Sequence, residues 1–312
     1  MTGFTHIPVL VAEVVEALRP KAESLIADGT VGGGGHAAAL LKASAPTGRL
    51  VGCDRDGQAV EAAKARLSEF QGRFEIRQGN YAEMADWIAP GSCDGVLLDL
   101  GVSAVQLEVP ERGFSFQLDG PLDMRTDQRQ EWTAAKLVNE AGAEELAEIF
   151  WRFGGVARPR QMAREIVRRR QTEKLERTAQ LAALVERIRP RAGSRTHPAT
   201  QVFQALRMAV NDEMGSLERG LEAAVRILKP GGRLAVISFH SVEDRVVKEF
   251  GRRLSLDYDC PGGVDVPELR HPRPARLRWV WRKALRPGPA EARANPRSRS
   301  AQCRVMEKLK TE

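Results

Sequence analysis

The stretch that decides the fold is residues 25–36, LIADGTVGGGGH. A short apolar run over residues 24–27 has the length of a buried strand, and Asp28 ends it. Four glycines follow at 32–35, and His36 then opens an alanine-rich segment that is typical of a helix. Glycine has no Cβ and a helix N-terminus has unpaired N–H groups, so such a loop can lie against a ligand. Dinucleotide enzymes, phosphate-binding proteins and methyltransferases all use this pattern, which favours a nucleotide or nucleoside cofactor.

Outward from this loop, strands and helices alternate and several strands end in polar side chains. Four strands are predicted, over residues 24–27, 48–53, 74–78 and 94–100. Asp54 follows the second strand about 20 residues beyond the glycines, where a carboxylate can accept hydrogen bonds from both hydroxyls of a ribose. Alternating strands and helices predict an α/β fold with a mostly parallel sheet that binds ligands at the carboxyl ends of its strands. We therefore expect Asp28, Asp54, Tyr81 and Asp99 along one edge.

The alternation stops between residues 106 and 206, where no convincing strand is found. Amphipathic helices are predicted there over residues 134–139, 143–150, 160–170 and 178–188. We interpret residues 107–206 as an inserted, all-helical substrate-recognition domain. The remaining residues, 1–106 and 207–312, are predicted to form one discontinuous domain around the sheet.

The sheet resumes after the insertion. Helices are predicted over 199–209 and 212–227, a tight turn over 228–233 and a fifth, buried strand over 234–239. The runs at 277–281 and 300–306 predict a closing antiparallel pair. The Pro- and Arg-rich stretch 261–276 is predicted to be a loop.

The composition is that of an ordinary soluble protein, with 42% hydrophobic and 29% charged residues among 312. No apolar run approaches the roughly 20 residues that a membrane span needs, and the N-terminus has no basic leader, so neither a membrane partner nor a signal peptide is expected. The four cysteines show no C-x-x-C spacing. The absence of C-x-x-C spacing disfavours a zinc site, and unpaired thiols suit a cytoplasmic location.

The net charge of +7 is unevenly distributed along the chain. Residues 1–150 carry 13 Lys and Arg against 23 Asp and Glu, whereas residues 151–200 carry 13 against 4 and residues 266–310 carry 13 against 3. Local basic excess predicts a face that binds a polyanion. The alternative is that these arginines only solvate helices.

Two enzyme classes fit this pattern, the nicotinamide dehydrogenases and the S-adenosylmethionine methyltransferases. The turn at 228–233 before a strand, followed by a closing hairpin, resembles the methyltransferase ending of the fold. Asp99 begins the run DLGVS at 99–103, where amino-group methyltransferases place an acidic or amide residue. An acceptor for the N–H protons of a nucleobase amine lets its delocalised lone pair localise on nitrogen. The alternative is that Asp99 only caps the next helix.

Several blocks together resemble the MraW/RsmH family, the bacterial small-subunit ribosomal RNA cytosine-N4 methyltransferases. They are HIPVL at 6–10, residues 28–36, DRD at 54–56, DGVLLDLGVS at 94–103, RGFSF at 112–116, GPLDMR at 120–125, HPATQVFQALRMAVN at 197–211, ISFHSVEDR at 237–245 and NPRSRS at 295–300. The resemblance implies a Rossmann-like class I methyltransferase fold and S-adenosyl-L-methionine as cofactor. The implied acceptor is the N4 amine of a cytidine in the decoding centre of 16S rRNA, within an assembled or nearly assembled small subunit.

The resemblance also implies site residues. The implied cofactor contacts are Gly34, Gly35, His36, Asp54, Tyr81, Asp99 and Gln106. For His36 we expect the backbone N–H at the helix entry to be the contact, with a plain helix-start residue as the alternative. Tyr81 can lay its ring on adenine or be a core residue, and Gln106 rests on the resemblance alone.

His240 follows the fifth strand and should open toward the same edge as Asp99, so both are predicted to be catalytic. The alternative for His240 is that it orients its loop or bonds a neighbour. Its spacing to Glu243 could suit a metal, but no third ligand is evident and no metal is expected. The chain departs from the family at Ser103-Ala104, where two serines are usual, and at 153–159, where the family is acidic.

The basic blocks predict phosphate contacts. The candidates are Arg158, Arg160, Arg164, Arg168, Arg169, Arg170, Arg195, Arg297, Arg299 and Arg304. A cytidine must leave its stack to reach a methyl donor, which a single-stranded rRNA segment makes easier. A nicotinamide-dependent oxidoreductase and a non-catalytic ribosome assembly factor stay open as alternatives. The oligomeric state is open, and a homodimer is compatible with the sequence.

Overall fold

The structure is a computed structural model that describes residues 8–191, 197–260 and 265–310. His6 and Ile7 of the first family block and Arg195 of the basic block lie outside the described residues. The chain divides into two compact units. The sheet unit comprises Thr5–Gly101 and Gly215–Glu312, and the helical unit is built from Val102–Met214. The substrate-recognition role given to the insertion stays a prediction.

The sheet unit is an α/β structure around a mostly parallel sheet. Its strands are β1 (Leu25–Asp28), β2 (Arg49–Asp54), β3 (Phe74–Gln78), β4 (Cys93–Asp99), β5 (Leu228–Ser238), β8 (Leu277–Trp279) and β9 (Gln302–Lys308). They lie in the order β3-β2-β1-β4-β5-β9-β8, and the first five are parallel. β9 pairs antiparallel with β5 and with β8. This order confirms the predicted class I methyltransferase-like α/β fold and its closing antiparallel pair.

Helices connect these strands and make up the helical unit. The helices are α1 (Val11–Leu18), α2 (Gly35–Ala43), α3 (Gly57–Arg66), α4 (Met84–Trp87), α5 (Ala104–Glu108), α6 (Ala134–Glu140), α7 (Ala143–Gly154), α8 (Pro159–Arg170), α9 (Thr178–Ile188), α10 (Ala199–Val210), α11 (Glu213–Ile227), α12 (Ser241–Ser255) and α13 (Pro289–Ala294). Between residues 107 and 206 the described residues contain no strand, as predicted, although Pro121 and Arg177 form an isolated bridge. In the described part of the chain, no helix has both the length and the apolar character to cross a membrane.

The tight turn predicted at 228–233 lies inside β5 and not before it, because Leu228 already pairs with β4 and Gly231 takes φ +81° between the paired positions. Leu228 pairs with Cys93 and Arg233 pairs with Gly95, so the residues between them bulge opposite Asp94. The Lys229 ammonium donates to both Asp94 carboxylate oxygens, at 3.0 and 2.9 Å. A Lys-Pro-Gly-Gly sequence is typical of a turn, and the pairing of Leu228 with Cys93, which is not visible in the sequence, makes it a bulge inside the strand.

The predicted loop at 261–276 is also only partly right. Residues 261–264 lie outside the described residues, but His271–Pro272 (β7) pairs antiparallel with Tyr258–Asp259 (β6). A two-residue strand has too few alternating positions to be recognised from its sequence.

The core of the sheet unit explains why the strand ends are fixed. Ile26 in β1, Leu50 in β2, and Leu97 and Leu98 in β4 are almost fully buried. Parallel strands that are covered on both faces carry such continuous apolar runs. Because these runs hold the strands in register, the polar residues at their carboxyl ends have fixed positions.

The helical unit has a core of its own. Leu146 and Phe150 of α7, Ile166 of α8 and Leu206 of α10 are inaccessible to solvent. Arg170 donates to the carbonyls of Val138 and Ala141, at 2.9 and 2.7 Å, and so closes the end of α6. These amphipathic helices were predictable because their apolar residues repeat at helical spacing.

Candidate active site

The glycine loop between β1 and α2 is held in a conformation that requires glycine. Gly34 has φ +77° and caps α2, and a Cβ at this position would lie 3.2 Å from Cα of Ala63. A Cβ on Gly29 would lie 2.7 Å from Cβ of Tyr81. Gly33 differs, since a Cβ there would meet nothing within 4 Å among the described residues. The loop therefore presents a bare backbone to open space at Gly33, just before the N-terminus of α2.

Asp54, at the end of β2, is tied to this loop. Its Oδ2 accepts from the backbone N–H of Gly32 at 2.8 Å, and its Oδ1 accepts from the backbone N–H of Asp56 at 2.9 Å. Each carboxylate oxygen has a second lone pair, so both can still accept from a ligand hydroxyl. Asp54 thus has two tasks: it holds the loop and it remains an acceptor.

A threonine links the Asp28 carboxylate at the end of β1 to the backbone of Asp99 at the end of β4. The Asp28 Oδ1 accepts from the backbone N–H of Thr30 at 3.0 Å, and the Thr30 hydroxyl oxygen accepts from the backbone N–H of Asp99 at 2.6 Å. Among the described residues, the buried Oδ2 of Asp28 and Oδ1 of Asp99 have no hydrogen-bond partner. Buried acceptors are normally paired, so both oxygens are available to a donor that the chain itself does not supply.

His36, in the first turn of α2, brings a potential positive charge to this group. Its side chain is buried, and Nε2 lies 3.5 Å from the Oδ2 of Asp99. The structure therefore groups Asp28, His36, Asp54 and Asp99 around the glycine loop, at the edge where the sequence placed them.

Burial and mutual repulsion set the electrostatics of the site. Burial raises the pKa of Asp28 from 3.8 to about 7, and the nearby charges of Asp99 and Asp54 add to it. Burial likewise raises the pKa of Asp54 to about 6, although two backbone N–H groups work against the shift. Burial opposes a charge on His36, but the neighbouring Asp99 carboxylate outweighs it and raises the pKa of the imidazole above its ordinary value.

Tyr81 lies beside the loop and also packs against a helix. It follows Asn80, whose side chain caps the short 3₁₀ turn over Tyr81–Glu83. A Cβ on Gly220 of α11 would lie 2.3 Å from Cδ2 of Tyr81, so the ring lies directly on that helix backbone. The ring is half-buried, and its role against adenine stays a prediction.

His240 caps α12. Its Nδ1 accepts from the backbone N–H of Glu243 at 3.4 Å, and the Glu243 Oε2 accepts from the backbone N–H groups of Phe239 and His240. Its Nε2 lies 3.1 Å from Glu243 Oε1. This is the neighbour-bonding arrangement that the sequence left open as an alternative, and the catalytic role of His240 stays a prediction.

Gln106 belongs to the helical unit and caps its own helix. Its Oε1 accepts from the backbone N–H of Ser103 at 3.0 Å, and Ser103 Oγ accepts from the backbone N–H of Gln106 at 3.2 Å. This reciprocal capping box explains why a serine is needed at 103, whereas Ala104 needs no hydroxyl for it. A cofactor contact by Gln106 stays a prediction.

The predicted phosphate-binding arginines differ in what their side chains contact. Arg304 is nearly buried and donates to both Asp244 carboxylate oxygens, at 2.6 and 3.1 Å. Arg170 donates to backbone carbonyls at the end of α6. Arg160 and Arg164 are exposed one turn apart on α8. The structure gives Arg304 a structural partner, whereas the exposed pair keeps its charges at the surface.

Thr30 and Glu291 also belong to the site, although neither residue was predicted from the sequence. Glu291 of α13 accepts from the backbone N–H of Leu10 at 2.7 Å and lies close enough to His36 to favour its charged form. Leu10 and Glu291 are 281 residues apart, so no local signal could have found this contact. The Asp28–Thr30 contact is local and typical of an aspartate turn, whereas the contact between Thr30 and Asp99 joins residues 69 positions apart and has no local signal.

These residues fit the cofactor that the resemblance implies. A ligand with ribose hydroxyls and positively charged sulfonium and ammonium groups suits a site that contains three carboxylates, those of Asp28, Asp54 and Asp99. The bare backbone at Gly33 gives such a ligand room to approach.

The chain is similar to known methyltransferases over nearly its whole length. The model of a family described as the MraW methylase family matches residues 3–309. A protein named ribosomal RNA small subunit methyltransferase H from Symbiobacterium thermophilum is 46% identical over 98% of this chain and 98% of its own length. Proteins of the same name from Syntrophotalea carbinolica and Geobacter sulfurreducens are 48% and 47% identical, over 98% of this chain and 98% and 99% of their own lengths. A crystal structure of an rRNA methylase from Streptococcus thermophilus aligns with a TM-score of 0.41 and 12% identity, over 96% of this chain and 94% of that one.

Proposed function

The chain belongs to the MraW methylase family, and from this we propose that it methylates the N4 amine of a cytidine in small-subunit ribosomal RNA. The general activity follows from the family: the chain is an S-adenosylmethionine-dependent methyltransferase of small-subunit (16S) rRNA. The single observation that carries the choice of an amine is the buried Oδ1 of Asp99, which lacks a partner among the described residues. An amine N–H is a donor that such an oxygen can accept.

The residues of the sheet unit would hold S-adenosylmethionine in a defined way. Asp54 would accept hydrogen bonds from the ribose, and Gly34, Gly35 and the backbone N–H of His36 would border the ligand at the start of α2. When bound, the cofactor supplies a methyl group already activated by the sulfonium. Asp99 would then need only to orient the amine and stabilise the charge that grows on its nitrogen.

The RNA part of the proposal rests on charge. A cytidine must be unstacked before its amine can reach a buried carboxylate, and the exposed arginines of α8 can neutralise phosphates of the RNA. We propose an assembled or nearly assembled small subunit as the substrate. Cys53, Cys93 and Cys303 are buried thiols that form no disulfide within the described residues, which fits work in the reducing cytoplasm.

The test is methyl transfer from tritiated S-adenosylmethionine to small-subunit particles from cells that lack this chain. We expect label in 16S rRNA, and mass mapping should place it in one N4-methylcytidine. Label at another position of cytidine would contradict the proposed amine. Particles that bind the chain without gaining label would support the non-catalytic assembly factor, whereas the nicotinamide-dependent alternative has no support from the relatives.

A further inference from the structure

The His36 side chain has an environment that its place in the glycine loop does not explain. It is only 5% exposed, and neither ring nitrogen has a hydrogen-bond partner among the described residues. Burying polar nitrogens without partners costs free energy, so a residue that only began α2 would be better replaced by an apolar one. The one close polar neighbour of Nε2 that the structure shows is Oδ2 of Asp99, at 3.5 Å.

Charged groups from three elements face this imidazole. They are Asp99 of β4, Asp28 of β1 and Glu291 of α13, and each of them favours the charged form of the ring. An imidazolium is therefore the form that best balances the cluster of carboxylates. A ring that already carries its proton is a donor and not a base.

The two oxygens of Asp99 are unlike because of this neighbour. Its backbone is fixed by the Thr30 hydroxyl, and Oδ2 points to Nε2 of His36. Oδ1 is buried and has no partner within the described part of the chain. The carboxylate is thus held at one oxygen and open at the other.

We propose that His36 is a positioning residue for Asp99: its imidazolium holds Oδ2 and so keeps Oδ1 turned to the substrate amine. This inference rests on the proposed function, since it names the group that orients the acceptor of that same site. It gives the His36 side chain a task that is separate from the backbone contact expected with the cofactor. The ring orients a carboxylate and does not remove the proton from the amine.

The first test needs no activity and uses the free protein. The ring signals of His36 are identified in NMR spectra by their loss in His36→Gln, among the five histidines of the chain. We expect a pKa above the ordinary 6.5 in the native chain and a clear fall in Asp99→Asn. A ring that titrates identically in both proteins, or that is neutral throughout, would overturn the proposal.

The second test separates positioning from binding. His36→Gln keeps an N–H donor but loses the charge, and we expect kcat to fall by about 100-fold while KM for S-adenosylmethionine stays within about threefold. His36→Ala should be slower still. The loss should be absent when His36→Gln is added to Asp99→Asn, because the ring acts through that carboxylate. Loss of cofactor affinity alone, or an equal further loss in the double variant, would contradict the proposal.

The controls distinguish the possible failures. His197→Gln removes another histidine near a carboxylate, 3.6 Å from Glu186 in the helical unit, and should leave kcat unchanged. Native-like melting of His36→Gln shows that the variant folds. If the NMR coupling is present but the chain transfers no methyl to rRNA, the proposed function fails and the pairing of His36 with Asp99 stands.

Discussion

At the scale of single residues, three aspartates at the ends of neighbouring strands differ because their neighbours differ. Asp54 is engaged by two backbone N–H groups, and Asp28 by one. Asp99 has a histidine at one oxygen and an unpartnered, buried second oxygen within the described chain. The chemistry of each carboxylate thus follows from its hydrogen bonds, which the strand-end position alone does not determine.

Replacing Asp99 tests the acceptor directly. Asp99→Asn keeps the shape of the side chain but loses its charge and half of its acceptor capacity, so we expect methyl transfer to fall by roughly 100-fold or more. The matched control is Asp94→Asn at the opposite end of β4, where the carboxylate accepts from Lys229 and from the backbone N–H of Leu25. Tritium transfer to small-subunit rRNA measures both. Equal activity of Asp99→Asn and the native chain would remove Asp99 from the mechanism.

The buried carboxylate of Asp28 predicts how stability changes with pH. Its pKa rises from 3.8 to about 7 on folding, so the folded chain binds this proton more tightly than the unfolded chain does. The sign follows: Asp28 costs stability as the pH rises from about 4 to about 7. Asp28→Asn stays neutral, so its melting temperature should exceed that of the native chain increasingly as the pH approaches 7. A constant difference across that range would contradict the shift.

Cofactor binding should be coupled to protons with a defined sign. Hydrogen bonds from ribose hydroxyls favour ionised Asp54, whose pKa in the free protein is about 6. S-adenosylmethionine should therefore bind more tightly as the pH rises through 6, and binding at pH 6 should release protons. Isothermal titration calorimetry in two buffers of different ionisation enthalpy measures the proton count. Net proton uptake at pH 6 would show that Asp54 does not accept from the ligand.

At the scale of elements, the glycine loop contains two glycines with different tasks. Gly34 needs glycine because of its positive φ and its contact with Ala63, so Gly34→Ala should destabilise the chain by about 1–2 kcal/mol. Gly33 lies before open space, so Gly33→Ala should melt like the native chain but bind S-adenosylmethionine more weakly, because its methyl group enters the space proposed for the ligand. Thermal melting and calorimetric titration separate the two effects. Unchanged affinity in Gly33→Ala would move the cofactor away from this backbone.

Elements with a strong repeat could be predicted, and those that depend on distant partners could not. The helix predicted at 178–188 is α9 as observed, because its apolar residues recur at helical spacing. The predicted start of β5 is six residues late, at 234 instead of Leu228, because the Lys-Pro-Gly-Gly turn signal lies inside the bulged strand. The capping roles of Gln106 and His240 had a local signal, since Ser-x-x-Gln and His-x-x-Glu both precede a helix with capping-box spacing. For Gln106 the resemblance implies a cofactor contact instead, and for His240 the position after the fifth strand predicts a catalytic role, with bonding to a neighbour as the alternative.

At the scale of the whole molecule, the sequence shows the uneven distribution of charge, but it does not show which arginines pair within the protein and which stay exposed. Counting arginines gives a basic block, yet Arg304 is committed to Asp244 and Arg170 to backbone carbonyls. Only the structure distinguishes these from the exposed Arg160 and Arg164. The same holds for the site, where the strand-end aspartates were predictable and the link through Thr30 was not, because hydroxyl contacts leave no periodic pattern.

The exposed arginines of α8 lead to a prediction about salt. Each phosphate contact to single-stranded RNA contributes about 0.7 to the slope of log affinity against log salt, so Arg160→Glu with Arg164→Glu should reduce that slope by about 1.5. The matched control reverses two charges in the acidic first half, Lys42→Glu with Arg66→Glu, which are also exposed. Filter binding of small-subunit particles between 50 and 300 mM salt, roughly the range in which such slopes are resolved, measures both pairs.

The α8 pair should bind more weakly and with a shallower slope while keeping its affinity for S-adenosylmethionine, because the charge reversal acts on phosphates and leaves the carboxylate cluster of the sheet unit unchanged. Equal slopes for the two double variants would place the RNA on another face of the molecule.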